Sequence, residues 1–172
     1  FLLAEQMQLG IVPLLLHGAG DTVTKGDFHF KDGSLTVKLL ERIKPTDTSF
    51  GATYQERTKA ICKLMRKEYD LLKQEKETVG YFRSRLIRNY IFKGPVLEWY
   101  CRIKTGLENN YQLFESLMPK TGKIVDVGCG YGFLPYMLMY KGRNREILGV
   151  DYDDEKIAVA DGCIDKSDKL SF

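Results

Sequence analysis

Residues 123–132 read KIVDVGCGYG, and residues 147–151 read ILGVD. The segment Ile124–Val127 is short, apolar and rich in β-branched residues, which is typical of a strand buried on both faces. Glycines on alternate positions end it, and apolar residues at mostly helical spacing lead to a second predicted strand, Glu146–Val150. The pattern predicts one β-turn-α-β unit, with glycines at the first turn and an acid, Asp151, at the end of the second strand.

The glycine turn and Asp151 together suit a nucleoside ligand. Residues without side chains let a ligand sit against the backbone, and the first turn of the following helix leaves amide donors unpaired. An acid roughly 20 residues after the glycines lies at the end of the neighbouring strand, where it can accept hydrogen bonds from a ribose diol. The dinucleotide fingerprint needs a last glycine where this chain has Phe133, so a pyrophosphate is a weaker expectation. The alternative is a glycine-rich turn in an unrelated α/β protein.

Residues 125–132, VDVGCGYG, resemble motif I of the class I S-adenosylmethionine-dependent methyltransferases, and residues 149–151, GVD, resemble the next motif of that family. The resemblance implies a Rossmann-like fold with S-adenosyl-L-methionine as cofactor. It implies that the glycines pack against the methionine and ribose part, that Asp126 orients the methionine amino group, directly or through water, and that Asp151 binds the ribose hydroxyls. The implied cofactor-binding residues are Asp126, Gly128, Cys129, Gly130, Tyr131, Gly132, Asp151 and Tyr152.

Length and cysteine usage limit the class of protein. The 172 residues can hold one medium domain or two small ones, and no apolar run reaches the length of a membrane span. The four cysteines are widely spaced without a Cys-x-x-Cys pair, which argues against a metal site or a disulfide framework and for a reducing, cytoplasmic compartment. Cys129 is expected to serve as a small side chain that fits the turn, with a reactive thiol as the alternative.

Charge is concentrated in the middle of the chain. The net charge is +3, yet residues 56–104 hold thirteen basic and six acidic side chains. A basic helical segment favours an anionic partner surface, such as the inner face of a membrane. A solvated linker face is an equally good interpretation.

The first 46 residues are expected to be part of an α/β domain. Residues 10–18 have the pattern of a buried strand that leads into a turn, with Pro13 at an irregular or edge position. Residues 28–30 and 34–43 predict a hairpin with Asp32-Gly33 as its turn. In its second strand Leu35, Val37 and Leu39 alternate with polar residues, which predicts a half-buried strand.

Two interpretations compete for the His-Gly-Ala-Gly at 17–20. The oxyanion loop of an α/β-hydrolase requires a Gly-x-Ser-x-Gly elbow, which this chain lacks. Residues 11–13, 25–26 and 35–43 instead resemble the C-terminal part of the glycerolphosphate acyltransferase (PlsC-like) family. The catalytic His-x-x-x-x-Asp and Phe-Pro-Glu-Gly blocks of that family are absent, so the resemblance implies a domain remnant without its catalytic residues.

Residues 47–119 are predicted to be a mostly helical linker or cap. Thr48 or Ser49 is the expected cap of the first helix, and Pro95 is expected to begin a later one. Aromatic residues in these helices are predicted to be core. In the competing hypothesis Tyr90, Trp99 and Tyr100 form a lid over the cofactor, as the N-terminal helices do in many class I methyltransferases.

Residues 120–172 are predicted to be the N-terminal part of a methyltransferase domain. Asp153 or Asp154 is the expected cap of a helix, and a third strand is expected to begin at Leu170. The predicted fold class is α/β: the start of a Rossmann-like parallel sheet, preceded by a helical linker and a small β-hairpin-containing remnant. The chain starts with Phe1 and has no leader pattern, so it is expected to be a fragment. The fragment is expected to be inactive by itself, because its predicted sheet stops at the third strand.

The sequence thus favours an S-adenosylmethionine-dependent methyltransferase from a fused acyltransferase–methyltransferase. Its methyl acceptor is expected to be a small molecule or a lipid, because the neighbouring domain suggests acyl-chain metabolism. No residue is identified as a catalytic base. The alternative is a basic helical module that binds nucleic acid or a membrane surface and carries a vestigial nucleotide fold.

Overall fold

The computed structural model describes residues 1–22, 33–108, 110–142 and 144–172, which form two compact units, Phe1–Lys76 and Glu77–Phe172. The division into residues 1–46, 47–119 and 120–172 stays a prediction. The elements of the first unit are α1 (Leu2–Gln6), β1 (Leu14–His17), α2 (Ala19–Thr22), β2 (Thr36–Leu39) and α3 (Tyr54–Lys76). Those of the second unit are α4 (Val79–Tyr90), a 3-10 turn (Ile91–Lys93), α5 (Pro95–Leu107), α6 (Asn110–Leu117), β3 (Gly122–Val127), α7 (Phe133–Lys141), β4 (Arg145–Val150), α8 (Asp154–Asp161) and β5 (Leu170–Ser171).

In the first unit β1 and β2 form an antiparallel pair, with Leu14 opposite Leu39 and His17 opposite Thr36. An isolated bridge between Ile11 and Ile43 extends the pairing. The partner that the sequence predicted for β2, residues 28–30, lies outside the described residues. In the described part of the chain the strand opposite β2 is therefore β1.

The predicted face of β2 is wrong. Leu35, Val37 and Leu39 are exposed, whereas Lys38 on the other face is half-buried and pairs with Glu68 of α3 at 2.9 Å. The reason is that α3 packs against this sheet on the face that carries Leu15 and His17 of β1, both of which are buried. The period of the alternation was right, but the apolar side chains of β2 point away from α3.

The predicted cap of α3 is also wrong. The helix begins at Tyr54, and the hydroxyl of Thr53 accepts a hydrogen bond from the Glu56 amide at 3.3 Å. The Glu56 carboxylate accepts in return from the amides of Ala52 and Thr53, which is a capping box. Gly51, at φ 131°, prevents a helix from starting at Thr48 or Ser49.

The second unit contains a parallel sheet in the order β3-β4-β5, with Ile124 opposite Ile147 and Ile147 opposite Leu170. Helix α7 connects β3 to β4, and α8 connects β4 to β5. The predicted fold class is confirmed: the structure is α/β, with a parallel sheet of Rossmann-like type preceded by helices and a small antiparallel pair. Pro95 begins α5 and Asp153 caps α8, both as predicted.

The expectation that β3 is buried on both faces is wrong. Ile124, Ile147 and Leu170 are buried in one core with α4 and α7. Val125, Val127, Leu148 and Val150 lie on the opposite face and are exposed. An apolar β-branched run indicates a strand suited to two covered faces, but the described helices cover only one of them.

A buried group of charges fixes the end of the sheet where β4 begins. The Arg145 guanidinium, almost fully buried, donates to the Glu115 carboxylate of α6 at 3.2 Å and to the carbonyls of Pro119 and Leu138. Lys120 and Lys141 also donate to Glu115. These cations hold the pKa of Glu115 at about 2 against the opposing effect of burial. The group joins α6, α7 and β4, and no local sequence pattern predicts it.

A polar network joins α4 to the far end of α7. Asn89 donates to the Tyr140 hydroxyl at 2.9 Å, and that hydroxyl donates to Asp165 at 3.1 Å. Arg85 pairs with Asp165 at 2.7 Å and lies over the Tyr140 ring. Helix α4 is thus part of the core of the second unit.

Within the described residues, no helix combines the length and apolarity needed to cross a membrane.

Candidate functional site

The glycine turn after β3 is held against the end of β4. The amides of Gly128 and Cys129 both donate to the Val150 carbonyl, at 2.8 and 3.0 Å, and the Gly132 amide donates back to the Cys129 carbonyl. Gly128, Gly130 and Gly132 have φ values of 82°, 55° and 78°, in the left-handed region that glycine adopts without strain. The alternate glycines of the sequence are therefore what lets the chain make this turn.

Asp151 closes the turn from the end of β4. Its Oδ2 accepts a hydrogen bond from the Gly130 amide at 2.7 Å, and its Oδ1 accepts from the Asp153 amide at 3.0 Å. These two backbone donors lower the pKa of the Asp151 carboxyl, the Asp153 amide having the larger effect. An ionised carboxylate has about four acceptor positions. Asp151 is thus charged and fixed in orientation, and about two acceptor positions remain for a ligand.

The glycines of the turn have different surroundings. A Cβ built on Gly128 or Gly130 meets no atom within 4 Å, so the backbone there faces open space. A Cβ on Gly132 would lie 2.7 Å from the Phe172 ring, and one on Gly149 of β4 would meet the same ring at 2.7 Å. Gly128 and Gly130 therefore offer room for a ligand, whereas Gly132 and Gly149 allow close packing of Phe172 under the turn.

Phe172 supports the turn, a role that its sequence context does not predict. It follows β5, and its ring centroid lies 5.7 Å from that of Tyr136 in α7. No motif marks this residue. The available signal was a pair of glycines, Gly132 directly before α7 and Gly149 within β4.

Asp126, the acid before the turn, is half-buried on β3. Burial raises the pKa of its carboxyl, the nearby Asp151 carboxylate adds to this, and the Lys104 ammonium opposes it. Within the described residues, no group donates a hydrogen bond to this carboxylate. Asp126 can therefore accept from a cationic or hydrogen-bonding ligand group at the turn.

Cys129 lies in the turn with a thiol that is not activated. Burial raises its pKa to about 11, and the carboxylates of Asp126 and Asp151 add to this effect. The thiolate is the nucleophilic form of cysteine, so the neutral thiol argues against the reactive-thiol alternative. Across the described residues, no group of three His, Cys, Asp or Glu side chains is arranged to hold a metal ion.

Aromatic side chains from α4 and α5 contact the turn from one side. The hydroxyl of Tyr90 donates to the Tyr131 carbonyl at 2.6 Å, and its ring packs edge-on against Phe133 at 4.8 Å. The Tyr100 ring lies 5.9 Å from the ring of Tyr131. The turn is therefore supported by side chains from two helices that precede β3.

The core prediction holds for Tyr90, and the hypothesis of a lid over the cofactor stays a prediction. Tyr90 is completely buried and belongs to the core, although its hydroxyl reaches the turn. Tyr100 lies beside Tyr131 and is partly exposed, whereas Trp99 is 64% exposed. Tyr152, which the resemblance placed at the cofactor, is 92% exposed directly after Asp151.

Comparison with known protein families gives a match to part of the chain. Residues 104–169 match the model of the family described as methyltransferase small domain. The matched range contains the glycine turn, Asp126 and Asp151, which are the residues of the candidate site. The match supports a class I methyltransferase, and domains of this class generally bind S-adenosylmethionine. Neither the curated proteins nor the solved structures contain a significant match to this chain.

Proposed function

We propose that the protein is an S-adenosylmethionine-dependent methyltransferase whose cofactor binds at the glycine turn. The observation that carries this proposal is the Asp151 carboxylate, hydrogen-bonded to the Gly130 amide at 2.7 Å beside the open side of Gly128 and Gly130. A charged acceptor with free lone pairs next to uncrowded backbone suits a ribose diol. The residues present therefore fit the group that the family match implies.

Each residue of the site has a separate task in this proposal. Gly128 and Gly130 let the ligand approach the backbone, and Asp151 accepts from the ribose hydroxyls. Asp126 accepts from the α-ammonium group. The cofactor supplies a methyl group bound to a sulfonium sulfur, and the protein's contribution is to hold donor and acceptor in line for transfer.

The test is calorimetry of S-adenosylhomocysteine binding to the protein and to Asp151→Asn. Asn keeps the shape of the side chain but loses its charge and half of its accepting capacity. Losing a hydrogen bond to a charged group costs about 1.5–3 kcal/mol, so we expect affinity to fall by roughly tenfold to a hundredfold. The parent protein should bind a 2′-deoxyribose analogue more weakly than S-adenosylhomocysteine itself. In Asp151→Asn most of this difference in affinity should disappear.

The matched control is Asp154→Asn, the same substitution at an exposed residue in the first turn of α8. Asp154→Asn should leave the affinity unchanged and melt close to the parent protein. Asp151→Asn loses one of its two backbone hydrogen bonds at the turn and should melt at a lower temperature, so the comparison with the 2′-deoxy analogue is what identifies the ribose contact. Equal discrimination against the 2′-deoxy analogue by the parent and by Asp151→Asn would mean that Asp151 does not hold the ribose. Absence of binding in the parent protein would overturn the assignment of the cofactor.

We further infer that the methyl acceptor is a small molecule or a lipid, within a fused acyltransferase–methyltransferase. Support for this is the resemblance of residues 11–13, 25–26 and 35–43 to the end of a glycerolphosphate acyltransferase domain. Incubating a cell extract with the proposed full-length fused protein and methyl-labelled cofactor tests it. Label should enter the organic-solvent extract or the small-molecule fraction, and label in protein or nucleic acid alone would contradict this acceptor class.

A second candidate function is binding to an anionic surface, favoured by the exposed basic side chains of α3. Lys59, Lys63, Arg66 and Lys67 are all exposed on this helix. Such a helix can hold the protein at the cytoplasmic face of a membrane or on nucleic acid. Co-sedimentation with anionic vesicles, compared with salt-dependent retention on nucleic acid, separates the two surfaces.

A further inference from the structure

Lys104 of α5 extends towards the glycine turn from outside the motif. Its Nζ lies 5.8 Å from the ring centroid of Tyr100 and 6.0 Å from that of Phe133, the residue directly after Gly132. Cations are attracted to the faces of aromatic rings, which gives this flexible side chain a preferred position. The ammonium group is therefore held near the turn by residues that also pack against Tyr131.

The charge of Lys104 is only loosely neutralised by its neighbours. Within the described residues its ion pair is with Glu108, the residue directly after α5, at 3.7 Å. Both side chains of this pair are partly exposed, and exposed pairs of this kind contribute little. Lys104 can therefore interact with an additional anionic group at the turn.

Lys104 and Asp126 have opposite charges, and both belong to segments next to the turn. Asp126 is half-buried at the end of β3, accepts no hydrogen bond within the described residues, and is close enough to Lys104 for the two charges to interact. The amino-acid end of S-adenosylmethionine is a zwitterion, with an ammonium and a carboxylate on one carbon. A protein carboxylate that faces the ligand ammonium, and a protein ammonium that faces the ligand carboxylate, complement this zwitterion.

We propose that Lys104 binds the α-carboxylate of the cofactor while Asp126 accepts from its α-ammonium group. The inference rests on the proposed function, because it concerns the same ligand. It adds a residue that lies 22 positions before the first motif acid and belongs to a helix rather than to the glycine turn. It also gives α5 a part in recognising the ligand, in addition to packing.

The test compares two probes that differ only in the carboxylate: S-adenosylmethionine and its decarboxylated form. Calorimetry measures both with the protein, with Lys104→Met and with Lys104→Arg. In Lys104→Met, loss of one charge-assisted hydrogen bond should lower the affinity for S-adenosylmethionine about tenfold or more. The decarboxylated form should bind the parent and Lys104→Met equally, and Lys104→Arg should retain most of the affinity for S-adenosylmethionine.

The matched control is Lys123→Met on β3 of the same unit, where the side chain is 83% exposed. It should bind both probes as the parent protein does. Unchanged S-adenosylmethionine affinity in Lys104→Met, or an equal loss for both probes, overturns the role of Lys104 and leaves the proposed function standing. A parent protein that binds neither probe overturns the proposed function and this inference together.

Discussion

At the scale of single residues, Gly130 combines a left-handed backbone with open space above it. A Val side chain at this position would fill the region that we assign to the cofactor, and φ of 55° strains a β-branched residue. We expect Gly130→Val to lose binding of S-adenosylhomocysteine, with a lower melting temperature from the backbone strain. Calorimetry and thermal unfolding measure the two effects separately.

Gly122→Val is the control that separates the effect of backbone strain from the effect of a side chain that fills the cofactor region. Gly122 also has positive φ, at 93°, and a Cβ there meets nothing within 4 Å, but it lies at the start of β3, away from the turn. It should lower the melting temperature without changing affinity. Equal affinity in the parent protein and in Gly130→Val would show that the ligand does not lie over this glycine.

The residues of the site differ in how far the sequence could predict them. The relation between Gly130 and Asp151 follows from the spacing of one motif, because a β-turn-α-β unit brings the two strand ends together. Lys104 and Phe172 come from α5 and from the end of β5, and no local pattern connects them to the turn. Their positions depend on how the helices and strands pack, which a single sequence does not encode locally.

At the scale of elements, the group around Glu115 joins α6, α7 and β4, and its stability should depend on pH. The folded pKa of Glu115 is about 2, below its ordinary value of 4.5, because three cations contact the carboxylate. Its stabilising contribution is therefore complete above pH 4.5 and is lost as the pH falls towards 2. We expect the free energy of unfolding of the second unit to decrease across this range.

Glu115→Gln should remove that part of the pH dependence and destabilise the unit at neutral pH. Removing one partner leaves the Arg145 charge buried, which typically costs about 3–5 kcal/mol. Glu98→Gln breaks the more exposed ion pair with Arg102 and should lower the free energy of unfolding by about 0–1 kcal/mol. Urea unfolding followed by the fluorescence of Trp99, the single tryptophan, measures both. Parallel pH profiles for the parent protein and Glu115→Gln would contradict the prediction.

Elements with a strong local signal were predicted well, and those that depend on distant partners were not. The two parallel strands, the helix between them and the Asp153 cap follow from short-range pattern. The exposed face of β2 could not be deduced in this way, because the position of α3 decides which side of the strand is covered. Glu115 and Arg145 are 30 residues apart, so their pairing also depends on tertiary structure.

At the scale of the whole molecule, each unit exposes an apolar sheet face. In the second unit it consists of Val125, Val127, Leu148 and Val150, and in the first unit of Leu14, Leu16, Val37 and Leu39. Contiguous exposed apolar surface favours association between molecules. We therefore expect this 172-residue chain to self-associate reversibly as its concentration rises, which sedimentation velocity measures.

Charged substitutions on these faces should weaken the association without unfolding either unit. Val127 is 81% exposed, so Val127→Lys places a charge on the sheet of the second unit without burying it. Leu39→Lys does the same in the first unit, and the two changes together should have the larger effect. Leu117→Lys, at an exposed apolar residue of α6 outside both faces, should leave the sedimentation profile unchanged. A chain that stays monomeric at every concentration, or a Leu117→Lys effect as large as that of Val127→Lys, would mean that these faces do not cause association.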